Sequence, residues 1–263
     1  MDQSRLKPVC LIIIDSFDVN YLSTDVGYFS YFKNLAENFP FFVLRSTDIN
    51  VDYPWNSYLE LGTGLNIKDE SQRISLLSII NEAGLRQLYV AESEMYSNIL
   101  FFFSNKERLS DQKITKIIIS ETKSDDYIKN TDMMAGSITS KFLKEIDRKI
   151  YDFAVISYPN LLNDNIEEVS QTLSSKIKSI VDTVLAFNGA VFITSNSSKD
   201  KDNNFVPLFM ISKEWKDKSF IDHNHFKQLN KQSISGNTYD IAPTILKVMR
   251  LEKPIEMKGS SLI

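Results

Sequence analysis

Residues 9–14 read Val-Cys-Leu-Ile-Ile-Ile, six apolar side chains in a row, and Asp15 follows them. A strand with one face in water alternates apolar and polar residues. A run that is apolar at both parities is buried on both faces, as at the centre of a parallel sheet covered by helices. Comparable runs recur at 41–44, 87–91, 116–119, 153–157, 190–194 and 207–211. Helical spacing lies between them. Over 71–83, Ile74, Leu77, Ile80 and Ala83 fall on one face, and Gly84 ends the segment. Segments 133–146, 166–187 and 240–249 read the same way, with 166–187 closed by Asn188-Gly189. Strands alternating with helices predict an α/β fold, with a mainly parallel central sheet and helices on both faces. The length, 263 residues, suits a single domain over 1–263.

In such sheets active sites gather at the carboxyl ends of the strands. The residues to examine are therefore Asp15, Ser57, 92–95, 158–165 and 195–201. No glycine-rich phosphate loop is present, and Leu61-Gly62-Thr63-Gly64 is too short for a dinucleotide fingerprint. Segment 195–204 is polar and predicts an exposed loop.

Composition removes several function classes. The net charge of −4 gives no basic field to hold nucleic acid or an anionic membrane. The single cysteine, Cys10, excludes a disulfide framework and a cysteine-based zinc cluster, and its apolar run makes it a core residue. There are two histidines, His223 and His225, so a centre built on several imidazoles is out of reach. His223-Asn224-His225 is a His-x-His that chelates zinc or nickel in other settings; in its polar surroundings it reads as a solvated loop. The longest apolar runs, 9–14 and 99–103, fall far short of the roughly 20 residues of a membrane span. Residues 1–8 are polar and show no signal-peptide pattern. The expectation is no membrane insertion and a cytoplasmic location.

Four stretches together resemble one family. The 9–15 run is similar to the opening strand of the cofactor-independent phosphoglycerate mutases, of the alkaline phosphatase superfamily. Segment 87–103, with Ala-Glu-Ser-Glu-Met-Tyr and then three phenylalanines, resembles their Ala-Glu-Thr-Glu-Lys-Tyr…Phe-Phe-Phe. Segment 151–156 resembles the strand before a metal-binding loop. Segment 240–263, Asp-Ile-Ala-Pro-Thr-Ile-Leu…Leu-Glu-Lys-Pro…Met-Lys-Gly-Ser-Ser-Leu-Ile, is close to their C-terminal signature. The resemblance implies an alkaline-phosphatase-like fold. It also implies that the family's inserted second domain is absent, because only 65–86 separates Gly64 from Gln87. That domain helps grip the substrate and exclude water, which is what makes a mutase out of a phosphatase.

The family's chemistry needs a hydroxyl nucleophile between two divalent ions, held by carboxylates and imidazoles. By resemblance, Asp15 matches the first aspartate ligand; the alternative is a capping or turn aspartate. Ser57 matches the nucleophile through Asn56-Ser57 when a short gap is opened before Gly62-Thr63-Gly64. Without the gap Pro54 falls there, and Ser57 is a helix-cap serine. The family's Asp-His-Gly-Asn aligns with Asn196-Ser197-Ser198-Lys199, and a further histidine aligns with Lys201. In the loop after Ile156, Leu162 stands at the aspartate position, with Asp164 nearby as a substitute. The catalytic lysine became Met95 and a following histidine became Asn98.

One to three surviving oxygens do not hold two adjacent divalent ions. The resemblance therefore implies a degenerate member, a pseudoenzyme acting as a binding or structural module for a protein partner. No cofactor is expected; any that binds is a single divalent ion, manganese, magnesium or zinc. Tyr53, Trp55 and Tyr58, clustered about the former nucleophile, are candidate exposed anchors for the partner. Lys201 is a candidate ion partner for Asp15 in place of a metal charge. The alternative is a residual metal-dependent phosphoester hydrolase using Ser57, Asp15 and Asp164. A third reading is a non-catalytic binder of a phosphorylated small molecule.

Overall fold

The structure is a computed structural model that describes residues 6–23, 27–47, 55–66, 74–93, 103, 114–119, 135–159, 161, 165–198, 204–218 and 234–263. Eight strands form one sheet: β1 (Val9–Ile14), β2 (Phe41–Arg45), β3 (Gln87–Glu92), β4 (Ile114–Ile119), β5 (Phe153–Tyr158), β6 (Ala190–Thr194), β7 (Phe205–Ser212) and β8 (Ile234–Asn237). The spatial order is β4-β3-β5-β1-β6-β7-β2-β8. All neighbours run parallel except at β7, which is antiparallel to both β6 and β2. The mainly parallel α/β expectation holds.

The parity argument for β1 is borne out residue by residue. Cys10, Ile12 and Ile14 enter one core, and Val9, Leu11 and Ile13 enter the other. Helices cover both faces. On the first lie α2 (Ser30–Asn38), α5 (Ala135–Ile146) and α6 (Ile166–Ala186), preceded in the chain by the short α1 (Asn20–Ser23). The long α6 buries Val169, Leu173, Ile177, Ile180, Val181 and Val184 at helical spacing, and Asn165 caps it by accepting from the Glu168 N–H. On the second face lie α3 (Trp55–Thr63), α4 (Leu76–Glu82) and α7 (Ile241–Val248). Ser75 and Ser78 form a reciprocal cap on α4.

The segment after α7 is tied to the end of α3. Gly64 adopts φ +63°, the left-handed region that closes α3, and a side chain there would strike Met257. The Gly259 N–H donates to the Gly64 carbonyl at 2.9 Å. A β-carbon on Gly259 would lie 2.2 Å from the Tyr239 carbonyl oxygen, so only glycine lets the chain pass. Asp240 accepts from the Ser260 N–H at 2.7 Å and the Asn237 N–H at 2.8 Å. Lys253 donates to the Met257 and Gly259 carbonyls, both at 2.9 Å. The 240–263 signature is thus a clamp on the helix that carries Ser57.

No helix among the described residues is long and apolar enough to cross a membrane.

Candidate active site

The carboxyl ends of β1, β3, β5 and β6 bring Asp15, Glu92, Tyr158 and Ser195 to one edge of the sheet, and α3 lies over that edge through its contacts with Asp15. Asp15 leaves β1 with its N–H on the Tyr158 carbonyl at 2.9 Å, and its buried carboxylate accepts from the Tyr58 hydroxyl at 2.7 Å. Burial pushes the Asp15 carboxyl up to about 7; the Tyr58 hydrogen bond opposes this and the nearby negative charge of Glu92 adds to it. The Tyr58 phenol is raised well above its ordinary value, by burial first and then by the Asp15 charge and the hydrogen bond to it. It stays protonated and donates.

This corrects the reading of Tyr58 as an exposed anchor. Tyr58 is fully buried, at 0% exposure, because its hydroxyl has an internal carboxylate to satisfy. Ser57 precedes it, is 1% exposed, and lies within the first turn of α3 rather than ahead of it, so it is not the cap of that helix. Asp15 lies in the turn that follows β1.

The exit of β6 is bound to the exit of β1 by neutral groups. The Asn196 amide oxygen accepts from the Ser16 N–H at 3.3 Å and the Ser197 hydroxyl at 3.2 Å. The Ser195 hydroxyl accepts from the Phe17 N–H at 2.9 Å and donates to the Ser197 carbonyl at 2.7 Å. The Ser198 hydroxyl donates to Asp18, whose other oxygen caps the Asn20 N–H at 2.7 Å. Residues 195–198 and 16–18 are thereby cross-linked three times. Segment 195–198 is largely buried, which corrects the expectation of an exposed loop for its first half. Asn196 and Ser197 stand where the resemblance places an aspartate and a histidine.

Sequence reasoning missed Glu60. It is fully buried in α3 and accepts from the Thr47 N–H at 3.3 Å and from the hydroxyls of Thr47, beyond β2, and Thr238, beyond β8. An acid between Leu59 and Leu61 was the available signal, but its donors lie far away in sequence. It missed Asp18 for the same reason.

Asp164, Leu162, Met95, Asn98, Lys201, Tyr53, His223 and His225 lie outside the described residues, as does the side chain of Trp55. The Asp15–Lys201 pair therefore falls outside them too. Among the described residues no group of three or more His, Cys, Asp or Glu side chains is placed to hold an ion. Asp15 and Asp18 carry internal hydroxyl donors, and Asn196 supplies a neutral oxygen already engaged by a backbone N–H. These described residues do not fit a pair of adjacent divalent ions.

The sequence profile of the Metalloenzyme superfamily matches residues 7–253. The 2,3-bisphosphoglycerate-independent phosphoglycerate mutase of Clostridium novyi is 28% identical over 255 residues, covering 89% of this chain and 46% of that protein. The enzyme of the same name from Sulfurimonas denitrificans is 27% identical, over 96% of this chain and 50% of its own. The chain spans about half the length of the curated relatives it matches. Among solved structures, a putative sulfatase from Bacteroides thetaiotaomicron superposes with a TM-score of 0.71 at 12% identity, over 97% of this chain and 73% of that one. A phosphonate monoester hydrolase of Agrobacterium radiobacter gives 0.64 at 10%, over 97% and 76%. At these identities the superpositions show the fold.

Proposed function

Since this chain belongs to the metalloenzyme superfamily, we propose that it is a catalytically degenerate member that serves as a binding or structural module for a protein partner. One observation carries the reading. At the edge where the family places its chemistry, the exits of β1 and β6 are joined by hydroxyl, amide and backbone hydrogen bonds, and Asp15 is held by Tyr58. An ion arriving here would compete with those bonds, and the neutral Asn196 and Ser197 add no charge to hold it. Turnover would require Ser57 to be ionised beside an ion, and Ser57 is buried in α3. The stretch between Gly64 and Gln87 holds α4, which supports the absence of the inserted domain and of mutase activity. The negative net charge disfavours nucleic acid as the partner.

A second reading rests on a different observation: Asp15 and Glu92 are both buried and their charges repel. A single divalent ion would relieve that repulsion. In this reading Ser57 is the nucleophile and Asp15 and Asp164 are ligands of a phosphoester hydrolase.

The test is elemental analysis of the purified chain after incubation with manganese, magnesium and zinc, together with hydrolysis of p-nitrophenyl phosphate. The proposal expects no stoichiometric ion and no hydrolysis above background. One retained ion, released by Asp15→Ala, with hydrolysis abolished by a chelator and by Ser57→Ala, overturns it in favour of the second reading.

A further inference from the structure

At the opposite edge of the sheet, where β1 and β5 begin, a solvent-open cavity of about 480 Å³ lies between the ends of α5 and α6 and the residues leading into β1. That volume is in the range of small-molecule sites. Pro8, Ile146 and the Phe187 ring give it apolar walls, Lys7, Lys149, Tyr151 and Asn188 give it polar ones, and among the described residues no acidic side chain lines it. The two charged groups on its lining, Lys7 and Lys149, are both cationic, and Asp152 and Glu145 stand behind it as partners of Lys7 and of the Tyr151 hydroxyl. The Lys149 ammonium stands 4.8 Å from the Phe187 ring centroid. The Lys7 ammonium is 3.0 Å from Asp152 yet its side chain is 44% exposed.

Two helix C-termini meet here, and such ends ordinarily repel anions. Here three of the end carbonyls are already engaged by cap N–H groups. The N–H groups of Lys149, Asn188 and Gly189 donate to the Ile146, Leu185 and Val184 carbonyls at 3.0, 3.1 and 2.9 Å. Both turns use a left-handed residue, Lys149 at φ 56° and Asn188 at φ 60°, and both of these residues line the cavity. The wall is fixed in advance, because the Pro8 carbonyl accepts from the Ala190 N–H at 2.9 Å.

We propose that this cavity binds a small organic anion: a carboxylate or phosphate on a flat apolar body. The anionic group lies between the Lys7 and Lys149 ammoniums, within reach of the Asn188 amide, and the body rests on Pro8 and Phe187. The site is separate from the Asp15 edge, so its failure leaves the proposed function standing.

The experiment is an NMR titration of the 15N-labelled full chain with phenyl phosphate, benzoate and inorganic phosphate in separate arms. The expected result is saturable shifts at the Lys149, Phe187 and Asn188 amides with phenyl phosphate or benzoate, with Kd on the order of millimolar or tighter. The tighter of the two assigns the head group. Lys7→Gln/Lys149→Gln weakens binding about tenfold or more, since each lysine supplies a charge-assisted contact. Ala186→Trp, at an exposed helix-end position that tolerates the change, fills the cavity and removes binding. The proposal is overturned by the absence of saturable shifts, by affinity that survives both variants, or by inorganic phosphate binding as tightly as the two organic probes.

Discussion

The Tyr58 hydroxyl and the Asp15 carboxylate meet at 2.7 Å, joining the first strand of the chain to the helix that covers its carboxyl end. The pair is fully inside the protein, where a hydrogen bond to a charged or shared-proton acceptor counts for more than at the surface. Tyr58→Phe keeps the ring and removes the donor. It is expected to cost about 1–3 kcal/mol, read as a lowered urea midpoint with an unchanged slope. An unchanged midpoint would show that Asp15 takes another donor.

Asp15 sets a pH dependence. Burial holds its carboxyl up at about 7 in the folded protein, above the 3.8 of a free aspartate. The folded state therefore holds a proton that the unfolded state has released, and stability falls as pH rises between those values and is flat above them. In metal-free protein, Asp15→Asn removes that fall. The expected result is a wild type that loses stability from pH 5 to pH 8 by an amount on the order of a few kcal/mol more than the variant does. Parallel profiles would show that Asp15 ionises normally in the fold.

Ser195 carries the link between the β6 exit and the Phe17 N–H. Ser195→Ala leaves that buried N–H without its acceptor, for an expected loss of about 1–3 kcal/mol. Ser179→Ala, on the exposed side of α6 with its hydroxyl on the Ser175 carbonyl, serves as the control and is expected within about 0.5 kcal/mol of wild type. Equal effects at the two positions would mean that the loop link contributes nothing specific.

The clamp on α3 is testable without touching the site. Gly259→Ala drives a methyl group into the Tyr239 carbonyl, and the expected cost is about 3 kcal/mol or more. Lys253→Met retains the apolar stem and removes two hydrogen bonds, for about 1–3 kcal/mol. Hydrogen exchange should show the amides of α3 opening faster in both. Exchange confined to 251–263 would separate the clamp from α3.

How much of this was legible in the sequence depends on the distance over which each feature is decided. β1, β5 and β6 could be read directly, because burial on both faces leaves a local mark. β8, reading Ile-Ser-Gly-Asn, leaves none; it exists because β2 offers an edge, and its register shifts at Val43/Leu44. α2 leaves only a short stripe, Phe32, Leu35 and Ala36, within nine residues. At the site, Asp15, Asn196 and Ser197 were found by family pattern, which locates positions without their partners. Tyr58 was misplaced because an aromatic residue in a chain looks the same whether its hydroxyl meets water or a buried carboxylate. Glu60 depends on Thr47 and Thr238, and no local pattern announces that three distant residues converge.

The Gly259–Gly64 hydrogen bond also bears on the order of events during synthesis. Helix α3 emerges from the ribosome early, but the groups that close its end arrive only when residues 257–260 have been made. Until then the helix bearing Ser57, Tyr58 and Glu60 must wait half-anchored on a growing chain. That edge stays unlatched while residues 65–256 are being made, which is the interval in which a chaperone or a premature partner would find it open.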